Sequence, residues 1–171
     1  IFLIFQNTPV FAQNHNFDSL QNWKGALVDF EWKQNEILLT QKNSSTTLVY
    51  FEATWTTNVE FKCNVRLPFP PSSNNSFELL ISADSLFSDS NLISLKIGES
   101  GLSDGFDVFK GNILEIYNNK RFWGNGGSGF ISIICEKDSL FFFEKYEQDT
   151  TRFIGSLHLN PHLKYIGFNC K

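Results

Sequence analysis

Asn58-Val59-Glu60-Phe61-Lys62-Cys63-Asn64-Val65-Arg66-Leu67 alternates polar and apolar residues without an error. Successive side chains of an extended strand point to opposite faces, so Val59, Phe61, Cys63, Val65 and Leu67 share a dry face and the intervening residues a wet one. The pattern recurs. Ala26, Val28, Phe30 and Trp32 alternate, and further strands are predicted over residues 36–41, 47–53, 77–82, 92–98, 106–110, 113–117, 130–137, 140–146, 152–159 and 164–170. Between them lie turn-forming clusters: Lys42-Asn43-Ser44-Ser45, Pro70-Pro71-Ser72-Ser73, Gly111-Asn112, Lys137-Asp138-Ser139 and Asn160-Pro161-His162. No long amphipathic helix interrupts the series. The predicted fold is all-β, a two-sheet antiparallel β-sandwich. On the opening strand itself, Glu60, Lys62 and Arg66 have no partner in the sequence that makes them a site, so function is expected in the loops.

With 171 residues the chain suits one domain with a core of its own. Its 19 Phe, 4 Trp and 4 Tyr, against no Met, favour strands, where aromatic side chains fit a half-buried pleated surface. The net charge of −4 and the lack of a basic stripe exclude nucleic acid as the expected partner.

The first residues carry a separate signal. An apolar run from Ile1 to Phe5, followed by Val10-Phe11-Ala12 with small or branched residues before a cut after Ala12, reads as the end of a secretory signal peptide. The run is far shorter than the ~20 residues of a spanning helix, so an integral membrane protein is not expected. Residues 1–12 are therefore assigned to a leader remnant, and residues 13–171 to the sandwich. The expected location is extracellular or the outer cell surface, with the periplasm as the alternative. Lys171 directly follows a strand-like segment, so the domain is read as truncated at its C-terminus. Of the three cysteines, Cys63, Cys135 and Cys170, all at apolar positions, core thiols are expected. A Cys63–Cys170 disulfide requires that their strands be neighbours.

The order of segments resembles the concanavalin A-like, laminin-G-like jelly-roll domain of exported Bacteroidetes surface proteins, some of which carry lamin-tail domains. Asn16-Phe17-Asp18 with Trp23-Lys24-Gly25 is similar to that family's opening signature, and Asn35-Glu36-Ile37-Leu38-Leu39 to its first short strand. Residues 59–67 with Pro70-Pro71-Ser72 resemble its central strand and turn. Leu95-Lys96-Ile97-Gly98 and Tyr165-Ile166-Gly167-Phe168-Asn169-Cys170-Lys171 resemble two later strands. The resemblance implies a jelly roll that lacks its last strand and sits beside further domains of the same polypeptide. It implies little about a ligand, because a shared fold does not fix function.

Recognisable chemistry is sparse. The alternating carboxylates by which some sandwich glycosidases place acid and nucleophile on one strand are missing. His158 and His162 flank Asn160-Pro161, a turn, so they do not form a helical metal pair. The Gly-rich segment 124–129 lacks the lysine of a phosphate loop. Two loops remain. Arg121, Phe122, Trp123 and Asn125 combine rings and polar donors beside flexible glycines, a mix suited to a sugar face, although Trp123 folded back over the end of the sandwich serves equally as packing. Asp104 and Asp107 flank Gly105 as in some calcium loops, but two carboxylates fall short of the 6–8 oxygens calcium takes and an ordinary hairpin turn suffices, so no cofactor is expected, with calcium as the alternative. The leading expectation is a non-catalytic exported module for display, adhesion or spacing. The alternative is a lectin-like module whose partner is a polysaccharide or cell-surface glycan, and the third reading is a glycan-active enzyme.

Overall fold

The computed structural model describes residues 2–4, 23–26, 30–33, 36–39, 47–53, 59–66, 77–88, 90, 92–97, 106–118, 128–146, 150–159 and 163–170. Among them fourteen strands form two sheets, and every ladder is antiparallel. The strands are β1 (Phe2–Ile4), β2 (Lys24–Gly25), β3 (Phe30–Lys33), β4 (Glu36–Leu39), β5 (Thr47–Glu52), β6 (Val59–Arg66) and β7 (Phe77–Ser82). They continue as β8 (Ile93–Ile97), β9 (Asp107–Lys110), β10 (Ile113–Ile116), β11 (Ser128–Glu136), β12 (Ser139–Tyr146), β13 (Arg152–His158) and β14 (Tyr165–Cys170). One sheet runs β13-β12-β11-β6-β1-β4-β3 and the other β10-β9-β8-β7-β14-β5-β2. The expected two-sheet antiparallel sandwich is the fold. No helix among the described residues is long and apolar enough to cross a membrane.

The alternation that predicts β6 is also what closes the core. Phe61, Cys63 and Val65 are buried, while Glu60, Lys62 and Asn64 remain partly accessible. Opposite them, the other sheet turns in Val49, Phe51, Phe77, Leu79, Ile81, Leu95, Ile166 and Phe168. Rings join the layers: Phe168 lies 6.3 Å from Phe61 across the sandwich, 6.0 Å from Phe77 and 5.6 Å from Trp23. Each fully buried ring contributes about 1.5–3 kcal/mol relative to exposure, so this aromatic stack anchors the fold.

Two strands go beyond the alternation. Lys24–Gly25 pairs with Tyr50 and Val49, extending one sheet by β2. Phe2–Ile4 pairs on one side with Glu36–Leu38 and on the other with Asn64–Arg66, so β1 bridges β4 and β6. The leader expected over residues 1–12 places an opposite demand on this segment, since a leader is removed and β1 is held on both flanks.

Cys63 is a free, buried thiol on β6, and Cys170 belongs to β14 of the other sheet, which pairs with β5 and β7. Alternation gave both cysteines an apolar position but could not say that their strands lie in different layers. The turn at Gly111-Asn112 is where the sequence places it; Gly111 adopts φ 58°, a region open to glycine, and donates its N–H to Leu92 O at 2.7 Å.

Candidate functional site

The outward face of β6 does not stand alone. β11 pairs with β6 along its whole length and with β12 on its other side, so residues distant in sequence form one surface. Cross-strand register sets Lys62 beside Ser132 and Ser132 beside Phe143; in the adjoining row Asn64, Phe130 and Lys145 are neighbours. An open cavity of about 370 Å³ lies here, lined by Glu60, Lys62, Phe130, Ser132, Phe143, Glu144 and Lys145 among others. That is a volume within the range of small-molecule sites.

Its polar groups are ordered. The Ser132 hydroxyl donates to Glu60 Oε1 at 2.6 Å, and Lys62 Nζ sits 3.2 Å from the same oxygen. Glu60 and Lys62 keep 28% and 29% of their side-chain surface, so the pair is reachable from solvent. Beneath the far end, Glu144 is buried. Its carboxylate accepts hydrogen bonds from Arg152 and, at 3.0 Å, from Asn118 Nδ2, while Arg152 also donates to Asn118 Oδ1. A buried carboxylate requires such partners, because desolvation of an unpaired charge is costly.

The apolar part of the surface is aromatic. Phe143 and Phe141 lie 5.4 and 6.5 Å from Phe153, which stands 54% exposed on β13, so rings continue from the cavity to the edge of the sheet. Half-buried rings beside hydroxyl, carboxylate and ammonium groups can pack against one face of a ligand and hydrogen-bond its rim. This corrects the expectation that the wet face of β6 has no partners. Its partners come from β11 and β12, and the Ser132–Glu60 contact spans 72 positions. A signal was present in the sequence: Phe130-Ile131-Ser132-Ile133-Ile134 and Leu140-Phe141-Phe142-Phe143 place apolar residues on both faces, where one dry face needs only alternate ones.

The loop candidates fare differently. Arg121, Phe122, Trp123 and Asn125 lie outside the described residues, as do Asp104 and His162. Asp107 is fully buried, and its Oδ1 accepts the backbone N–H of Asn118 at 2.9 Å, which ties the end of the β9–β10 hairpin back to β9. No group of three metal-ligating side chains occurs among the described residues. His158 is exposed and lies 3.6 Å from Asp138 across the β12–β13 edge.

Two antiparallel sheets stacked in this order make the fold a jelly-roll β-sandwich. No protein-family model and no curated protein sequence matches the chain. Solved structures do. Peanut lectin bound to a 9mer peptide is similar at a TM-score of 0.52 and 12% identity, with 98% of this chain and 89% of that one covered. The lectin from Bauhinia forficata in complex with GalNAc follows at 0.51 and 11%, covering 91% and 87%. The exoplasmic/lumenal domain of VIP36 in its Ca2+/Man3GlcNAc-bound form gives 0.51 and 12%, covering 99% and 80%. At such identities the likeness is one of fold.

Proposed function

We propose that the chain is a non-catalytic, exported carbohydrate-binding module that takes a glycan on the outer face of β6, β11 and β12. The observation that carries this reading is the open cavity in which Phe130 and Phe143 stand beside Ser132, Glu60, Lys62 and Lys145. A pyranose presents C–H groups on its flat face and hydroxyls at its edge, and this surface offers rings for the first and donors and acceptors for the second. The lectin-type fold supports the same reading. It displaces display or spacing as the leading function, since those roles require no ordered pocket.

The carboxylates support binding over turnover. A glycosidase must present a protonated carboxyl to the leaving oxygen. Glu144 is buried and held by Arg152 and Asn118, and Glu60 already accepts from Ser132 beside Lys62. Both are engaged as acceptors. Export is the location that suits a glycan-binding module, with N-terminal sequencing of the secreted protein as its check.

A glycan array with the purified domain tests the function. Phe143→Ala is expected to weaken binding of the best ligand about tenfold, the loss of roughly 1.4 kcal/mol of ring contact, with an unchanged far-UV spectrum. Loss in Trp123→Ala with full binding in Phe143→Ala moves the site to residues 121–125. Release of new reducing ends from any bound glycan overturns the non-catalytic part.

A further inference from the structure

We propose that this cavity selects an anionic glycan, with Lys145 as the group that meets the ligand's carboxylate or sulfate. The inference rests on the glycan-binding reading and adds the charge of the ligand. It follows from how the charges around the cavity are matched.

Two cations and two anions line the cavity; Lys62 is matched by Glu60 at 3.2 Å, and Glu144 by Arg152, which lies outside the lining. Both anions are thus taken. Lys145 lines the same cavity, lies beside Phe130 in the ladder, is half-buried, and forms no ion pair among the described residues. The pocket therefore holds one unmatched positive charge in a chain whose net charge is −4. Glu60 and Glu144 do not cancel it, because each is bound to a nearer cation. An ammonium beside an aromatic ring in a partly desolvated concavity interacts with an anion more strongly than one on open surface. A neutral sugar would fill the ring-lined floor and leave this group without a counter-charge. A uronate carboxylate or a sulfate ester supplies it through a charge-assisted hydrogen bond.

Lysine fits this part better than arginine would. Its ammonium is a compact point charge on a flexible stem, able to follow a substituent at different positions of a sugar ring. Phe130 is its partner in the ladder with β11 and lines the same cavity. Lys62, held by Glu60, is placed to orient hydroxyls rather than to add a second free charge.

Paired probes of equal backbone test the inference by affinity electrophoresis and calorimetry. Polygalacturonate is compared with its fully methyl-esterified form, and dextran sulfate with dextran. The expected result is at least tenfold tighter binding to one charged member than to its neutral twin, weakening as salt rises from 50 to 500 mM. Lys145→Gln should abolish that preference by lowering the affinity for the charged member towards that of its neutral twin. Lys164→Gln, exposed beside the start of β14, should change neither. The first pair reports on a carboxylate and the second on a sulfate. Equal binding within both pairs, lost in Phe143→Ala, overturns the charge selection and keeps the glycan site. A preference that survives Lys145→Gln also overturns it. Binding to none of the four probes, nor to any member of a wider glycan array, overturns both readings together.

Discussion

Cys63 carries its thiol in the middle of the sandwich, between Phe61 and Val65 on the dry side of β6 and wholly shielded from solvent. Burial disfavours the thiolate and pushes the Cys63 thiol far above its ordinary range, and the half-buried Cys135 is raised for the same reason. The linkage has a definite sign. In the unfolded chain the thiol ionises near pH ~8.5, whereas the folded chain keeps its proton, so the unfolded state loses protons first and stability falls as pH rises past that point. The contribution is fully present below pH ~8.5 and declines above it by about 1.4 kcal/mol per pH unit for Cys63. Urea midpoints measured from pH 7 to pH 10 should show that decline, and Cys63→Ala should flatten it while lowering the neutral-pH stability through a small cavity. An equally steep alkaline decline in the variant would show that other groups cause it. Thiol reagents should label Cys135 in the native protein well before Cys63.

At the scale of the element, the second sheet carries its own specialised contact. Phe87 belongs to the turn after β7, adopts φ 53°, and lays its ring on β14 at Gly167, with Tyr50 edge-on at 5.5 Å. A Cβ at position 167 would stand 2.8 Å from Phe87 Cζ and 3.2 Å from Leu48 Cδ1, so the strand is glycine there because a ring occupies the space. Phe87 cannot simply retreat, since a left-handed backbone at a bulky residue persists only when its packing fixes it. Gly167→Ala is therefore expected to cost about 1–3 kcal/mol by overpacking and to expose Phe87, read as a lower urea midpoint and faster cleavage at Phe87 by chymotrypsin. Unchanged stability and protection would mean that the turn adjusts freely. β6 was legible because a period of two declares itself within a few residues, and the Lys137-Asp138 turn because polar residues separate two apolar runs. Phe2–Ile4 and Lys24–Gly25 are too short to show any period, and their assignment depends on partners elsewhere in the chain. The cavity was illegible for a related reason: Glu60, Ser132 and Phe143 come from three strands, and only their register brings them together. The excess of apolar residues on β11 and β12 pointed to a ring-bearing outer face, but not to which strand would meet it.

Across the whole molecule, the two sheets meet through a continuous core, yet they are not equally closed. β11 pairs with eight consecutive residues of β6, while β1 on its other flank pairs with Asn64, Val65 and Arg66 alone. β4 and β3 therefore reach the body of their sheet through the three residues of β1. If the chain is exported and cleaved after Ala12, as proposed, β1 is taken away, and β4 and β6 must then close on each other or receive another strand. The chain comprising residues 13–171 is thus expected to be less stable than residues 1–171. The difference is on the order of 3 kcal/mol, from a few backbone hydrogen bonds at about 1 kcal/mol each. The loss should fall mainly on β3 and β4, because β13, β12, β11 and β6 keep their ladders with one another and the proposed glycan site lies on that side. Urea unfolding of the two chains measures the first effect, and amide hydrogen exchange over residues 30–39 against residues 128–146 measures the second. Equal midpoints, with equal protection at residues 36–38, would show that Phe2–Ile4 contributes nothing to the sheet and that the leader reading accounts for the segment alone. A lower midpoint with glycan binding intact makes β1 a structural strand whose removal leaves the site in working order.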